Sequence, residues 1–285
     1  MPSAQQLKRR IKSVDNTAKI TKAMSMIAAS KMSRAQQMAL QSRPYSERMV
    51  SLLSDLAAQP QFEDDPHPLL TVRNISKIGV IVITPDRGLT GGLNTGVNRF
   101  AAQHILNSGH QAEVVTVGKK ARDFFARTSN LKAVFTEIGD RPSPDVVIPI
   151  AKVMVDEYIA GNIDAVYVVY SKYINTTVQK PELITILPVQ PAVLDQKDRV
   201  GYIYEPDSRE VLNELVPRYI EMEIYHSILE SVASEQSARM VAMRNATDNA
   251  IEMKSDLTLE MNKVRQESIT SELLDIVGGV AAVEA

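Results

Sequence analysis

Four glycines, an Asp–Arg pair and an asparagine stand together in ITPDRGLTGGLNTG, residues 83–96. The apolar run KIGVIVIT precedes them and GVNRFAAQHIL, with the spacing of a helix, follows. Strand, glycine loop and helix form the setting in which backbone N–H groups and a helix N-terminus hold a phosphate. The spacing argues against that chemistry. A phosphate-binding G-x-x-x-x-G-K-[ST] loop needs its lysine to reach the outer phosphates, but Val97 and Asn98 follow Gly96. Gly88, Gly91, Gly92 and Gly96 also miss the G-x-G-x-x-G pattern of dinucleotide sites. The loop therefore reads as a tight turn that packs against something, with Asp86 and Arg87 able to pair and Asn94 able to cap the helix.

No other group of residues has the spacing of a catalytic site. The histidines, His67, His104, His110 and His226, are scattered, and there is no cysteine. Thiolate metal sites, disulfides and thiol switches are thereby excluded, which suits a reducing compartment. No nucleophile elbow, H-E-x-x-H or meaningful carboxylate pair occurs. Neither a catalytic residue, a cofactor nor a metal is expected.

The elements around the loop carry more information than the loop does. Residues 1–59 hold ten Lys/Arg against three Asp/Glu, and residues 205–285 hold seven against sixteen. Residues 60–204 carry fifteen of each. Leu7, Ile11, Val14, Ala18, Thr21, Ser25, Ala28, Met32, Ala35 and Ala39 recur at 4-3 spacing, as a coiled-coil seam does. Ser3 and Gln6 form a capping box at its start. Pro44 is expected to kink or interrupt this helix before it resumes through ERMVSLLSDLAAQ. Pro60, Pro66 and Pro68, with Glu63, Asp64 and Asp65, mark a linker. A second long helix opens at Asp207 and Glu210, with a stripe of Met243, Ala246, Ala250, Met253, Leu257, Met261 and Val264. Opposite charge and matched stripes predict an antiparallel pair. The acidic partner helix and the lack of interleaved aromatics weaken a nucleic-acid role for the basic one.

Between the helices, strands near 77–84, 112–118, 131–138, 163–172 and 183–190 alternate with helices at 96–107, 119–128 and from Ser143. That alternation predicts an α/β domain with a largely parallel sheet. The fold expected is a mixed one: an antiparallel coiled coil of the two terminal helices (1–59 and 205–285) with an α/β domain (60–204) inserted. No apolar run approaches the ~18 residues a membrane span needs. The basic start runs on into Asp15 and Asn16 rather than an apolar core, so a mature soluble chain is expected.

Three stretches together resemble one family. ITKAMSMIAASKMSRAQ (20–36), DRGLTGGLNT (86–95) and SEQSARMVAMRNATDNA…NKVRQESITSELLDIVGG (234–279) are similar to the gamma subunit, the central rotary shaft, of bacterial F-type ATP synthases. Two positions depart from the family pattern: Thr90 where cysteine is common and Gly278 where serine is usual.

The resemblance implies a non-catalytic subunit that turns inside the ring of alpha and beta subunits. It would transmit torque between that ring and the membrane ring of c subunits, coupling proton flow to ATP synthesis, with the epsilon subunit as a further partner. It would be peripheral, on the cytoplasmic face of the inner membrane, without nucleotide or nucleic acid of its own. Met24, Arg239, Arg265, Gln266 and Thr270 match family positions near the catalytic ring. Residues 23–29, AMSMIAA, apolar almost all round, and the tip LLDIVGGVAAVEA, without Lys or Arg, suit a shaft in a close protein sleeve. A coiled-coil scaffold whose α/β domain binds a small ligand is the alternative.

Overall fold

The computed structural model describes residues 3–57, 67–127, 130–190, 204–205 and 207–284. The expected linker residues Pro60, Glu63, Asp64, Asp65 and Pro66 lie outside them. Two compact units emerge, residues 1–27 with 240–285, and residues 28–239.

The first unit is a pair of helices, the start of α1 (Ala4–Ala57) against the second part of α5 (Ser208–Glu284). The capping box forms in full: Ser3 N–H donates to Gln6 Oε1 at 3.0 Å and Gln6 N–H to Ser3 Oγ at 3.3 Å. Asp15 bonds Lys254 at 2.6 Å, Thr21 meets Thr247 at 2.6 Å and Ser25 Oγ donates to the Met240 carbonyl at 3.2 Å. Rising numbers on α1 meet falling numbers on α5, which makes the pair antiparallel as its charges predict. Hydrogen bonds from Lys19 and then Lys254 hold the Asp15 carboxyl down at about 2. The α5 stripe needs correction. Met253 is 54% exposed, and the seam runs instead through Met243, Thr247, Ala250, Lys254, Leu257, Met261 and Val264. Lys254 takes a seam position because its stem packs while its ammonium reaches Asp15.

The second unit is three-layered. A five-stranded sheet of order β3-β2-β1-β4-β5 comprises β1 (Lys77–Ile83), β2 (Gln111–Val117), β3 (Asn130–Phe135), β4 (Ala165–Tyr173) and β5 (Gln179–Leu187). The first four are parallel, and β5 closes one edge antiparallel to β4. β1 is buried from Ile78 to Ile83, which is why KIGVIVI reads as one unbroken apolar run. Ile78, Val80 and Val82 face α2 (Leu93–Ser108) and α3 (Lys119–Phe125). Ile81 and Ile83 join a larger core with α4 (Ile148–Ile159), Leu53 and Leu56 of α1, and Leu212, Val216, Ile220, Ile224 and Ile228 of α5.

Two local expectations are corrected, and the expected start of α5 at Asp207 holds. Pro44 does not interrupt α1: it sits exposed within the continuous helix, and buried Met49, Leu53 and Leu56 hold the turns beyond it. The helix after Ser143 starts as a single 3-10 turn, Pro144–Val146, before α4. The cap of α5 rests on Asp207, whose Oδ1 accepts the N–H groups of Arg209 and Glu210 at 2.8 Å each.

Candidate functional site

The glycine loop is a tight turn that packs only in part. Leu89 is 60% exposed and a Cβ added at Gly88, Gly91 or Gly92 would meet no atom within 4 Å, while the Gly88 carbonyl accepts from Arg239. Leu89 (φ 65°) and Gly91 (φ 58°) are both left-handed, which reverses the chain within a few residues of β1. The N-cap of α2 is Gly92, not Asn94, and α2 begins at Leu93, earlier than its pattern suggests. Asp86 does not pair with Arg87. Its carboxylate takes the backbone N–H of Lys119 at 3.0 Å and of Glu137 at 2.9 Å, while Thr84 Oγ1 accepts from Ala121 N at 2.7 Å. Side chains of the loop region thus fill the N-terminus of α3, where a phosphate would otherwise find donors. Thr90 is 2% exposed, so the departure from cysteine lies inside the fold.

In open parallel sheets ligands sit in the crevice beyond the carboxyl ends of the strands. Here α5 fills it. Ile228, Ser231, Val232 and Glu235 close over Ile83–Asp86 and Val117–Gly118, leaving a cavity of about 40 Å³. A nucleotide pocket needs several hundred. Burial pushes the Glu235 carboxyl up; Arg239 opposes this, and Asp140 and Asp86 add to it. Asp86 and Glu235, both acidic, line a space that disfavours an anion.

The five residues singled out by resemblance are not gathered at one place. Met24 is half-buried on α1, next to Ser25 and so level with Met240. Arg239 is engaged within the chain: its Nη2 donates to Glu235 Oε1 at 2.7 Å and to the Gly88 carbonyl at 3.2 Å, with 12% of the side chain exposed. Arg265, Gln266 and Thr270 are exposed on α5, where Thr270 Oγ1 donates to the Gln266 carbonyl at 2.9 Å.

The first unit shows much apolar surface. Ile20, Met26 and Ile27 on α1 are 56–61% exposed, although AMSMIAA reads as a helix that must be enclosed. Beyond Val264 every described side chain of α5 is exposed, among them Ile269, Leu273, Leu274, Ile276 and Val277. Sequence reasoning missed Ser234, Gln236 and Ser237, which are fully buried on α5. Their one visible signal is a polar cluster where the helix should present an apolar stripe.

No helix among the described residues is long and apolar enough to cross a membrane. Residues 3–283 match the ATP synthase family. The ATP synthase gamma chain of Dehalococcoides mccartyi is 52% identical over 278 residues, covering 97% of this chain and 98% of that one. That of Roseiflexus sp. is 45% identical over 288 residues, covering 99% of each. Among solved structures, a chain of the Euglena gracilis mitochondrial ATP synthase superposes with a TM-score of 0.66 at 18% identity, covering 98% of this chain and 94% of that one. A chain from the central stalk and c-ring of the Tetrahymena thermophila mitochondrial ATP synthase gives 0.62 at 24% identity, covering 80% and 99%. At such identities the two structures attest the fold alone, whereas the bacterial relatives attest the family. This chain belongs to the ATP synthase family, among its gamma chains.

Proposed function

We propose that this chain is the central-stalk subunit of a bacterial F-type ATP synthase and does no chemistry of its own. It turns inside the alpha/beta ring, meets the c ring and epsilon subunit, and couples proton flow to ATP synthesis on the cytoplasmic face of the membrane. Residues 1–59 and 205–285 act as one discontinuous shaft, and 60–204 as linker and inserted domain. The observation that carries the reading is the uncovered apolar surface of the first unit, above all α5 beyond Val264, where every described side chain is exposed. Such surface on a soluble chain implies a protein that encloses it. Residues 23–29, AMSMIAA, and the stretch after Arg265, which holds no Lys or Arg, favour a close sleeve without strong fixed contacts.

Within that sleeve Met24, Arg265, Gln266 and Thr270 are the proposed contacts to the catalytic ring. Arg265 and Gln266 supply several donors to acidic loops. Arg239 is proposed to serve the same interface through the bonds it already makes to Glu235 and Gly88.

The test is co-expression of the tagged chain with the other subunits of its complex. Recovery of alpha, beta, epsilon and c subunits, with ATP-driven proton pumping in vesicles, is the expected result. A stable monomer that binds none of them but saturates with a small ligand would refute the proposal.

A further inference from the structure

The segment SEQSAR, residues 234–239, carries a dense set of bonds between α5 and the rest of its unit, and apart from Arg239 it takes no part in the contacts proposed above. Ser234 Oγ donates to the Ser171 carbonyl of β4 at 2.8 Å. Gln236 Nε2 donates to Asp140 Oδ1 at 2.8 Å, and Lys31 of α1 holds Asp140 Oδ2 at 2.6 Å. Ser237 Oγ donates to the Thr176 carbonyl at 2.7 Å and accepts from Gln179 Nε2 at 3.3 Å. Arg239, braced by Glu235, reaches Gly88 in the glycine loop. Ser234, Gln236 and Ser237 are at most 1% exposed.

The directions matter as much as the number. At 3.6 residues per turn, successive residues point about 100° apart, so the side chains at 234, 235, 236, 237 and 239 leave the helix on all sides. They reach β4, the β4–β5 connection, β5, the β3–α4 connection and the glycine loop. Lower on α5, the contacts of Leu212, Val216, Ile220, Ile224 and Ile228 are apolar, and directional bonds are sparser: Tyr225 donates to the Pro142 carbonyl at 3.2 Å and Ser46 to Glu223 at 3.5 Å. Apolar burial resists separation but is non-directional, so a helix can roll against it. Hydrogen bonds have preferred angles. Turning α5 about its axis by one residue step would break every bond from the segment to β4, the connections and the glycine loop at once and strand buried polar groups.

We infer that residues 234–239 are a splined joint that locks α5 rotationally to the α/β domain, so that twist applied to the domain enters the shaft helix here. Ser234, Gln236, Ser237 and Arg239 on α5, with Asp140 and Gly88 opposite, are its positioning residues. The inference rests on the shaft reading. It also gives the glycine loop a use: its carbonyl at Gly88 is one of the sockets.

The experiment compares ATP-driven proton pumping with ATP hydrolysis in assembled complexes in vesicles. Gln236→Glu keeps the side chain's size but sets a second carboxylate against Asp140. It should lower pumping per ATP hydrolysed at least about twofold while hydrolysis itself holds. Adding Asp140→Asn restores a donor opposite the new carboxylate and should return the ratio to that of the parent. Ser237→Ala, which adds no charge, is the second variant and should lower the same ratio less. An unchanged ratio in Gln236→Glu and Ser237→Ala would overturn the joint, as would a ratio that stays low when Asp140→Asn is added. Failure of the shaft reading looks different: the parent complex itself would hydrolyse ATP without pumping.

Discussion

Thr21 Oγ1 and Thr247 Oγ1 lie 2.6 Å apart across the helix pair, each residue 8% exposed. Each hydroxyl also has a carbonyl within reach on its own helix, Thr17 at 3.1 Å and Met243 at 2.8 Å. With the Ala18 carbonyl also 3.2 Å from Thr21 Oγ1, the two protons face more acceptors than they can fill, and whichever hydroxyl donates across the seam leaves the other to bond back. The pair is a polar layer among small apolar knobs, a type of layer that fixes register in coiled coils.

Thr247→Val keeps the volume and strands one bond of this layer, so it should cost about 1 kcal/mol. Thr21→Val with Thr247→Val removes both partners and should cost less than the sum of the singles, since no buried hydroxyl is then left facing an apolar group. Urea unfolding of the four chains of the cycle checks this. Strict additivity would mean that the two hydroxyls do not act together.

The seam also marks where the sequence was legible. On α1 the 4-3 spacing of Leu7 through Ala39 gives the packed face directly, because every position there is apolar or a small hydroxyl. On α5 the same rule fails at two steps: Thr247 rather than Ala246 is buried, and Met253 is apolar but exposed while Lys254 is charged but sits in the seam. A hydropathy pattern scores the ammonium and overlooks the four-carbon stem. The sheet was legible from unbroken runs such as KIGVIVI, and the glycine loop from its lack of a lysine. The role of Arg239 was legible only in part: Glu235 four positions earlier is a local partner, but the other partner, Gly88, lies 151 positions away. Asp86 was misread for the same reason: its partners are the distant N–H groups of Lys119 and Glu137 rather than neighbouring Arg87.

Acid should loosen the second unit before its carboxylates titrate. Burial lowers the pKa of His104 from its usual 6.5; at His67 burial does the same, with Arg209 adding to it. The His67 Nδ1 accepts the Leu69 N–H at 3.1 Å, a bond that protonation there removes. With folded values below the unfolded one, the unfolded chain binds more protons, so stability is present above pH 6.5 and declines as pH falls below it. Buried Glu223 and Glu235, whose pKa values are raised, act in the opposite sense as pH falls toward 4.5. His104→Phe keeps the edge-on stack with Tyr167 (4.9 Å) and removes the charge. Its melting temperature should fall less than the parent's between about pH 7 and 5.5, the range in which an unfolded histidine gains its proton. Parallel curves would remove His104 from the explanation.

Gly118 sits at φ 98° where β2 ends, and a Cβ there would stand 1.8 Å from the Thr84 carbonyl oxygen. That backbone cannot simply retreat, because Thr84 N–H bonds the Val117 carbonyl at 2.8 Å and Gly118 N–H bonds the Phe135 carbonyl at 2.7 Å. Gly118→Ala should therefore cost more than about 3 kcal/mol, with strain and clash together. Gly161 has φ 74°, but a Cβ added there would meet no atom within 4 Å. Gly161→Ala should thus cost only the left-handed penalty of about 1–2 kcal/mol. Thermal unfolding of both chains decides, and equal losses would show that the close approach to Thr84 is relieved cheaply.

The exposed end of α5 should behave oppositely in the free chain and in the complex. Ile269, Leu273, Leu274, Ile276 and Val277 are 49–66% exposed. In the free chain these side chains gain nothing from the fold and promote association. Leu273→Ser with Leu274→Ser should therefore reduce light scattering and dye binding by the isolated chain, with little change in its unfolding midpoint. In an assembled complex each leucine that enters a protein sleeve contributes about 1.5–3 kcal/mol when fully buried. The same pair of changes should then weaken retention of the chain by alpha and beta subunits and lower ATP turnover. A surface that merely tolerates apolar residues would give the first effect without the second. If the double variant is retained and turns over like the parent, the end of α5 is not enclosed, and the sleeve argument built on it is wrong.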